Sequence, residues 1–353
     1  MNRVRAIIPF GQRIWLDNLS RELIASGELA RLLADDGIAG VTSNPAIFYK
    51  AIASDARYQD DLARLKADAA LSAEARYEAL VVPDIQAACD LLAPLYAKTD
   101  GADGYVSLEV SPQLARDEAG TLAAARRLWA EVKRANAMIK IPATPEGIRA
   151  FEVLTREGVN VNITLLFSLP QVDAVWDAYM AGLKARHADG KPLAHIKAVA
   201  SFFLSRVDSL LDAQLPPTLQ GKAAVALSKA AYARYHERFH GEEFAALKAA
   251  GARPQYLLWA STGTKNKAYS DVIYVESLIG DETINTTPDA TLAAFRDHGV
   301  AAATLATGMD EAFKVLSDVQ AAGVDIDAAG EKLQADGLKL FDDAFDALLQ
   351  LTA

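Results

Sequence analysis

The chain has 353 residues, of which 51% are hydrophobic and 23% charged, so it is long and apolar enough for one large globular domain or two modest ones. Its net charge of −10 argues against a nucleic-acid-binding protein, because such proteins carry a clustered basic face. The single cysteine, Cys89, excludes an intramolecular disulfide and favours a reducing compartment.

The N-terminal segment MNRVRAIIPFGQRIWLDNL lacks the apolar core and small-residue cleavage site of a signal peptide. No stretch reaches the roughly 18 consecutive apolar residues that a membrane-spanning helix needs. We therefore expect a cytoplasmic protein with no membrane partner and no nucleic-acid partner.

Short runs rich in valine, isoleucine, leucine and aromatic residues predict eight β-strands, and helical patterns lie between most of them. In chain order the predicted strands are RIWLDNL (13–19), IAGVTSN (38–44), YVSLEVS (105–111), AMIKIPA (137–143), NVNITLLF (160–167), IKAVASFF (196–203), QYLLWAST (255–262) and VIYVESLI (272–279).

Three of the predicted helices have clear local signals. The segment 114–136 repeats apolar residues at helical spacing. Thr144 is a predicted N-cap, and Gly158 is the predicted end of the helix that follows it. Ser168 and Gln171 have the spacing of a capping box at the start of a third helix.

Eight strands alternating with helices predict an α/β fold of the (β/α)8 TIM barrel type. The main rival, a doubly wound sheet, would lead us to expect a GxGxxG turn after the first strand, which the sequence lacks. The connection TGTKNKAYSD before the last predicted strand is too short for a full crossover helix. We expect additional helices in the inserts 50–103 and 207–253, and a C-terminal helical extension from about residue 310 (310–353). Residues 1–353 are predicted to form a single barrel domain.

Polar side chains occur where most of the predicted strands end. A barrel places catalytic groups at the C-terminal ends of its strands, so these side chains are candidates for one site, although some could simply begin loops. They are Asp17 and Asn18, Thr42, Ser43 and Asn44, Glu109, Lys140, Asn162 and Thr164, Ser201, and Ser261 and Thr262.

The strand AMIKIPA places Lys140 between two isoleucines, where a buried ammonium group is costly unless it is paired or used. Burial favours the neutral amine, which is the nucleophile that forms a Schiff base with a carbonyl. The iminium that results permits a neighbouring carbon–carbon bond to break, and Glu109 and Asp17 can move the protons that these steps require. The alternative is a structural lysine paired with Glu109 or Asp17 inside the barrel.

A second set of residues suits an anion. Ser201 ends a strand and Arg206 begins a predicted helix, where backbone donors and a guanidinium can bind phosphate together. The loop WASTGTKNK adds hydroxyl groups and Lys265 after the seventh strand, a usual phosphate-binding region of barrels. In the alternative, Arg206 pairs with Asp208 or Asp212 on a solvated helix face.

The segment HERFH (236–240) matches the H-E-x-x-H pattern of zinc peptidases, with two histidines on one helix face and Glu237 as general base. Gly241 follows at once, the segment lies inside an insert, and no third ligand is evident. We therefore rank a zinc site well below the Schiff-base hypothesis. A noncatalytic binding or scaffolding barrel ranks lower too, because it does not explain Lys140.

Several ordered segments resemble those of the transaldolases, members of the class I aldolase superfamily. GVTSNPAIF (40–48) and MIKIPATPEGIRAFEVL (138–154) resemble the two signature segments of that family. VIYVESLIGDETINTTPDATLAAF resembles the final-strand region of its longer bacterial form. The other matching segments are WLDNLSR (15–21), VSLEVSP (106–112), VNITLLFS (161–168) and WASTGTKN (259–266).

The resemblance implies a transferase of the pentose phosphate pathway whose partners are sugar phosphates. It would move a dihydroxyacetone unit from sedoheptulose 7-phosphate to glyceraldehyde 3-phosphate, giving erythrose 4-phosphate and fructose 6-phosphate, without a metal or an organic cofactor. The nearest alternative is a fructose 6-phosphate aldolase, which uses the same lysine but releases free dihydroxyacetone. The length of the chain and Glu109 favour the transferase. We expect a monomer or a homodimer.

The resemblance also assigns roles to individual residues. One departure from the family is Gly263, which stands where many transaldolases have an arginine, and Lys265 is expected to supply the missing charge. The implied catalytic residues are Lys140 as the Schiff-base lysine, Glu109 as the acid/base that acts through a bound water, and Asp17 as the acid/base at the cleaved bond. Asn44, Asn162 and Thr164 would contact the donor hydroxyls and the catalytic water. Ser201, Arg206 and Ser261 would contact the phosphate, and Thr42 is a further expected substrate-binding residue.

Overall fold

The computed structural model describes residues 2–353 and contains a closed barrel of eight parallel strands that pair in chain order. The first and last strands close the barrel, with Leu16 opposite Thr287. This confirms the predicted (β/α)8 architecture, and seven of the eight predicted strands contain an observed one. The strands are β1 (Arg13–Asp17), β2 (Gly40–Thr42), β3 (Tyr105–Glu109), β4 (Ala137–Pro142), β5 (Val161–Leu166), β6 (Ala198–Phe203), β7 (Tyr256–Ala260) and β8 (Thr283–Thr287).

Fifteen α-helices of very different lengths surround and cover this barrel in residues 2–353. They are α1 (Arg21–Ala25), α2 (Glu28–Arg31), α3 (Pro45–Ser54), α4 (Gln59–Lys66), α5 (Ala73–Lys98), α6 (Glu118–Val132), α7 (Pro145–Glu157), α8 (Leu169–Ala188), α9 (Ser205–Leu211), α10 (Ala223–His240), α11 (Glu242–Ala249), α12 (Ile273–Glu276), α13 (Asp289–His298), α14 (Met309–Ala321) and α15 (Ile326–Thr352).

The prediction of the eighth strand is wrong. VIYVESLI contains the short helix α12, and β8 is the later segment TINTT. Periodicity cannot separate a short buried helix from a strand in a run of four to eight apolar residues, so VIYVESLI is ambiguous. Four of the five side chains of β8 are polar. Threonine is nevertheless β-branched and suits strands, and its hydroxyls find partners here: Thr283 donates to the Gly280 carbonyl over 2.6 Å. The connection between the last two strands is therefore longer than predicted and contains α12.

The local helix signals hold. The Thr144 hydroxyl accepts a 3.0 Å hydrogen bond from the Gly147 amide at the start of α7, and Gly158 ends α7 with a φ of +96°. Ser168 caps α8 as predicted. The segment 114–136 contains α6, and the inserts and the C-terminal extension contain the expected additional helices.

Helix α5 has the length and overall composition of a helix that could cross a membrane. It does not contain roughly 18 consecutive apolar residues, because polar and charged residues interrupt its sequence. Its inner face packs into the core through buried residues such as Leu80, Ile85 and Leu92. It also carries the buried Asp84, which accepts hydrogen bonds from Arg21 and Tyr58. Core helices of this kind meet the same criterion, so it is weak support for a membrane span.

Every residue of β3, β4, β5, β6 and β8 is buried, as parallel strands covered on both faces should be. Helix α15 returns from the end of the chain to the C-terminal end of the barrel. There the Gln334 side chain donates hydrogen bonds to the carbonyls of Ala143 and Leu165, just after β4 and near the end of β5. The chain terminus thus covers the strand ends where the candidate residues lie.

Candidate active site

Lys140 and Glu109 meet because their strands pair in register, Glu109 on β3 directly opposite Lys140 on β4. Only 5% of Lys140 is exposed. Its Nζ donates to Glu109 Oε2 over 3.2 Å and to the Ser43 carbonyl over 3.3 Å. The ion pair that the structural alternative required is therefore present, and the same contact places an acid/base group beside the amine.

Burial raises the pKa of the Glu109 carboxyl, and the nearby Lys140 opposes part of this effect. A carboxyl whose pKa lies above its ordinary value of 4.5 is easier to protonate near neutral pH. Such a group can both take and return a proton, which is what acid/base catalysis requires.

Asp17 ends β1 and accepts a hydrogen bond from Thr42, whose hydroxyl in turn contacts that of Thr286. Thr42 Oγ1 donates to Asp17 Oδ1 over 2.7 Å, and Thr286 Oγ1 lies 2.7 Å from Thr42 Oγ1. Because Thr42 has one hydroxyl proton and gives it to Asp17, Thr286 must be the donor to Thr42. Burial raises the pKa of Asp17, against opposing effects of Lys140 and Thr42. Thr286 was missed at the sequence level because the eighth strand was predicted elsewhere in the chain.

A buried amide and hydroxyl cluster continues the site along β5 and β6. Asn162 donates to Ser107 Oγ over 3.1 Å, and the Ser201 hydroxyl donates to Asn162 Oδ1 over 2.6 Å. Thr164 Oγ1 is buried without a hydrogen-bond partner among residues 2–353. A buried hydroxyl with unmet bonding capacity in this position suits a bound water or a substrate hydroxyl.

Asn44 lies where β2 leads into α3. Its side-chain oxygen accepts a 3.0 Å hydrogen bond from the Ile47 amide and so caps that helix. This contact fixes the side chain while its amide nitrogen makes no hydrogen bond within residues 2–353. Asn44 also lines the cavity described below, so that amide group can serve a ligand.

Arg206 makes neither an ion pair nor a hydrogen bond with any other residue of 2–353, and its Nη1 is fully buried. The alternative pairing is wrong: Asp208 accepts from the Tyr274 hydroxyl over 2.7 Å, and Asp212 accepts from the Tyr269 hydroxyl over 2.6 Å. Arg206 is half-buried and its guanidinium lies 5.7 Å from the Phe203 ring centroid, but a buried N–H group without a hydrogen-bond partner is unfavourable. This guanidinium is therefore suited to an anionic ligand.

The loop after β7 lies beside Arg206. Ser261 adopts a left-handed backbone conformation (φ +54°), and its hydroxyl lies 2.8 Å from that of Ser205 at the start of α9. Gly263 and the exposed Lys265 line the same space. This loop and the start of α9 bring hydroxyl, amide and cationic groups to one place.

A cavity of about 210 Å³ joins these groups at the C-terminal end of the barrel. Glu109 and Asn162 do not line it, but each contacts a residue that does, Lys140 and Ser201 respectively. The predicted residues that line it are Asp17, Thr42, Asn44, Lys140, Thr164, Ser201, Arg206, Ser261, Thr262 and Lys265.

Phe341 also lines the cavity, from α15, and its ring centroid lies 5.4 Å from Lys140 Nζ. The amphipathic pattern of the C-terminal segment predicted the helix. It carried no signal of where that helix docks, so Phe341 was missed.

The HERFH segment lies far from this cavity, at the end of α10. His240 Nε2 lies 2.6 Å from Glu282 Oε2, and the His236 ring packs edge-on against Tyr232 with 4.6 Å between centroids. Among residues 2–353, no group of three or more histidine, cysteine or acidic side chains is arranged to hold a metal ion. Packing accounts for His236, and the contact with Glu282 accounts for His240.

The family model described as transaldolase/fructose-6-phosphate aldolase matches residues 14–352. The chain is 55% identical to a transaldolase of Thiobacillus denitrificans over 99% of both chains. It is 55% identical to a transaldolase of Neisseria gonorrhoeae over 96% of both chains. It is 44% identical to transaldolase 2 of a Nostoc species, over 93% of this chain and 90% of the relative.

Proposed function

The chain belongs to the transaldolase/fructose-6-phosphate aldolase family, and we propose that it transfers a dihydroxyacetone unit between sugar phosphates through a Schiff base on Lys140. Its 55% identity to transaldolases over nearly the full length makes it a transferase of that kind. As in the family, its substrates are sugar phosphates and it takes part in the pentose phosphate pathway. The observation that carries the proposal is that Lys140 contacts Glu109 and lines the same cavity as Arg206, whose guanidinium has no ion-pair or hydrogen-bond partner within residues 2–353.

In the first step the Lys140 amine adds to the C2 carbonyl of the donor ketose and gives a carbinolamine. The carbinolamine loses its hydroxyl as water, and an iminium forms between Nζ and C2. Glu109, with its pKa raised by burial, moves the protons of these steps, directly or through a water held near Thr164. In this proposal Asn162 and Asn44 contact the hydroxyl groups of the dihydroxyacetone unit.

In the second step Asp17 takes the proton of the C4 hydroxyl, and the C3–C4 bond breaks as its electrons move into the iminium and leave an enamine. The aldose phosphate departs as an aldehyde. The enamine carbon then attacks the aldehyde of the acceptor, and Asp17 returns its proton to the new hydroxyl. Thr42 holds the Asp17 carboxyl in place for both transfers and is itself held by Thr286.

We assign the substrate phosphate to Arg206, with Ser261 and Lys265 beside it. The guanidinium supplies a planar fork that can bind two phosphate oxygens, and Lys265 adds a second positive charge near Gly263. Ser201 donates to Asn162 in this structure, so in this proposal it positions that amide rather than contacting phosphate.

The direct test is borohydride reduction of the folded protein with fructose 6-phosphate, followed by peptide mass mapping. We expect a dihydroxyacetone-sized adduct on the peptide that contains Lys140. With erythrose 4-phosphate as acceptor, sedoheptulose 7-phosphate and glyceraldehyde 3-phosphate should form together. Absence of an adduct in a folded sample would contradict the Schiff base, and multiple turnovers to free dihydroxyacetone without acceptor would indicate a simple aldolase.

The remaining predictions concern the state of the protein. We propose that residues 1–353 fold as one domain, that the protein is a monomer or a homodimer, and that it works in the cytoplasm without a metal or an organic cofactor. Light scattering coupled to gel filtration would decide the oligomeric state, and a single cooperative unfolding transition would support one domain.

A further inference from the structure

We propose that Phe341 is a further residue of the reaction, because its ring covers Lys140 and stabilises the positively charged iminium formed there. This inference rests on the proposed Schiff base. It assigns a role to the C-terminal helix α15, which joins the site from the far end of the chain.

The geometry places an aromatic ring against the reacting nitrogen. The Phe341 centroid lies 5.4 Å from Lys140 Nζ, and both side chains line the same cavity. A cation within about 6 Å of a ring centroid is attracted to the negative ring face, and more strongly where water is scarce. Because Lys140 is almost completely buried, its surroundings meet that condition.

The ring matters more for the iminium than for the free lysine. An ammonium group has three N–H donors and distributes its charge over hydrogen bonds, here to Glu109 and to the Ser43 carbonyl. Addition to the C2 carbonyl and loss of water leave a nitrogen with one N–H and a full positive charge shared with C2. With fewer hydrogen bonds available, the intermediate depends more on the ring face and on the Glu109 carboxylate.

The position of Phe341 is fixed by contacts elsewhere on α15. Gln334, two turns earlier on the same face, donates to the carbonyls of Ala143 over 2.9 Å and Leu165 over 3.1 Å. Leu165 has a φ of +63°, at a break in the β5–β6 register. Gly337 lies between Gln334 and Phe341 and permits close approach, since a Cβ there would lie 3.0 Å from Leu165 Cδ2.

A purely structural role for Phe341 is the alternative. Leu338, Phe345 and Leu348 are buried on α15, and Phe341 could be one more apolar residue that attaches this helix. Such a role predicts loss of stability but no specific effect on the covalent intermediate. The two roles therefore separate in an experiment that measures both quantities.

The test compares Phe341→Leu, which keeps an apolar side chain and removes the ring, with Phe341→Tyr, which keeps the ring. Leu340→Ala is the matched control, because Leu340 is 53% exposed on the same helix. For each variant, the ratio of trapped to untrapped enzyme is measured after borohydride reduction with fructose 6-phosphate, together with kcat, KM and thermal midpoint. We expect the ratio and kcat to fall about two- to fivefold in Phe341→Leu, with little change in KM, and to stay near wild type in the other two.

An unchanged ratio and kcat in a folded Phe341→Leu variant would overturn the inference, as would an equal loss in Phe341→Tyr. If Phe341→Leu does not fold, as judged by circular dichroism, Phe341→Met replaces it and is held to the same criteria. Failure of the wild-type protein to form any adduct would instead contradict the proposed function. The two failures are thus distinguishable.

Discussion

Lys140 and Glu109 occupy opposed register positions on β4 and β3, with 3.2 Å between Nζ and Oε2 in a buried setting. Because the pair is buried, salt screens its attraction only weakly. The ion pair that would fit a structural lysine is, in our proposal, the resting form of a nucleophile and its acid/base partner. Substitutions at each position separate these two interpretations.

Lys140→Met removes the amine and keeps most of the side-chain volume. Turnover should fall by at least about three orders of magnitude while the protein stays folded, because a nucleophile has no substitute in this cavity and Glu109 can take up a proton once its cation is gone. The measurement is transaldol transfer alongside circular dichroism. Lys197→Met is the matched control: Lys197 is also buried but lies over the Tyr256 ring, and turnover per folded molecule should persist. Retention of even a few per cent activity in Lys140→Met would remove this lysine from the nucleophilic role.

Asp17→Asn tests the cost of partly burying a carboxylate. Because burial raises the pKa of Asp17 in the folded state, its contribution to stability is present below its unfolded pKa and is lost as pH rises through the folded pKa. At pH 7 the partly buried charge of Asp17 therefore destabilises the fold. The substitution removes that charge, and the new amide oxygen can still accept a hydrogen bond from Thr42.

We expect Asp17→Asn to raise the free energy of unfolding at pH 7 by about 0.5–2 kcal/mol, to lose this gain in acid, and to lose most of its turnover. In the wild type, the acid limb of kcat/KM should lie above the ordinary aspartate value of 3.8. Urea unfolding at neutral and acid pH, with a pH–rate profile, measures both effects. A variant less stable than wild type at pH 7 would mean that favourable contacts of the carboxylate outweigh its burial.

Arg206→Ala should raise KM for phosphorylated substrates by about 30- to 150-fold, which corresponds to about 2–3 kcal/mol for a lost charge-assisted contact. Stability should change little, because Arg206 has no carboxylate partner within residues 2–353 that would be left unpaired. Arg206→Lys keeps the charge without the planar fork, so its KM should lie between those of the wild type and Arg206→Ala. Dihydroxyacetone, which has no phosphate, should trap on Lys140 equally well in all three proteins. An equal loss with that probe would show that Arg206 shapes the lysine site instead.

Chelation tests the zinc alternative. Prolonged dialysis against EDTA should leave turnover unchanged, since His240 is engaged with Glu282 and both groups lie outside the cavity. Metal analysis of the purified protein is the companion measurement. Loss of activity that zinc restores would revive the HERFH motif as a functional site.

Most of the site could be predicted because strand order and strand ends determine it. Once β3 and β4 are recognised as neighbours in a parallel barrel, Glu109 and Lys140 must reach the same end of it. The positions of Phe341 and Gln334 could not be predicted in this way. Helical periodicity gives the apolar face of α15, but its docking depends on carbonyls of Ala143 and Leu165, which no local pattern encodes.

The other wrong prediction concerns β8. The search for apolar runs selected the segment of a buried helix and did not identify a strand made mostly of hydroxyl and amide side chains. In a barrel interior such side chains are costly unless they find hydrogen-bond partners, and some of these partners come from other segments of the chain. Asn285 donates to the Tyr274 carbonyl over 3.0 Å, and Thr287 donates to the Trp15 carbonyl over 3.3 Å. A residue-by-residue hydropathy scale cannot represent that dependence.

Thr286→Val is the prediction that follows from the corrected strand. It removes the donor to Thr42 while keeping the shape of the side chain, so the hydroxyl chain that ends on Asp17 loses its first member. We expect kcat to fall about three- to tenfold, in line with roughly 1 kcal/mol for a hydrogen bond. The acid limb of the pH profile should move to higher pH, because ionised Asp17 is less well stabilised. Thr287→Val is the matched control on the next position of β8, since its hydroxyl bonds to the Trp15 carbonyl rather than to Thr42, and it should lower stability without moving the acid limb. Identical pH profiles for the wild type and both variants would show that Thr42 holds Asp17 unaided.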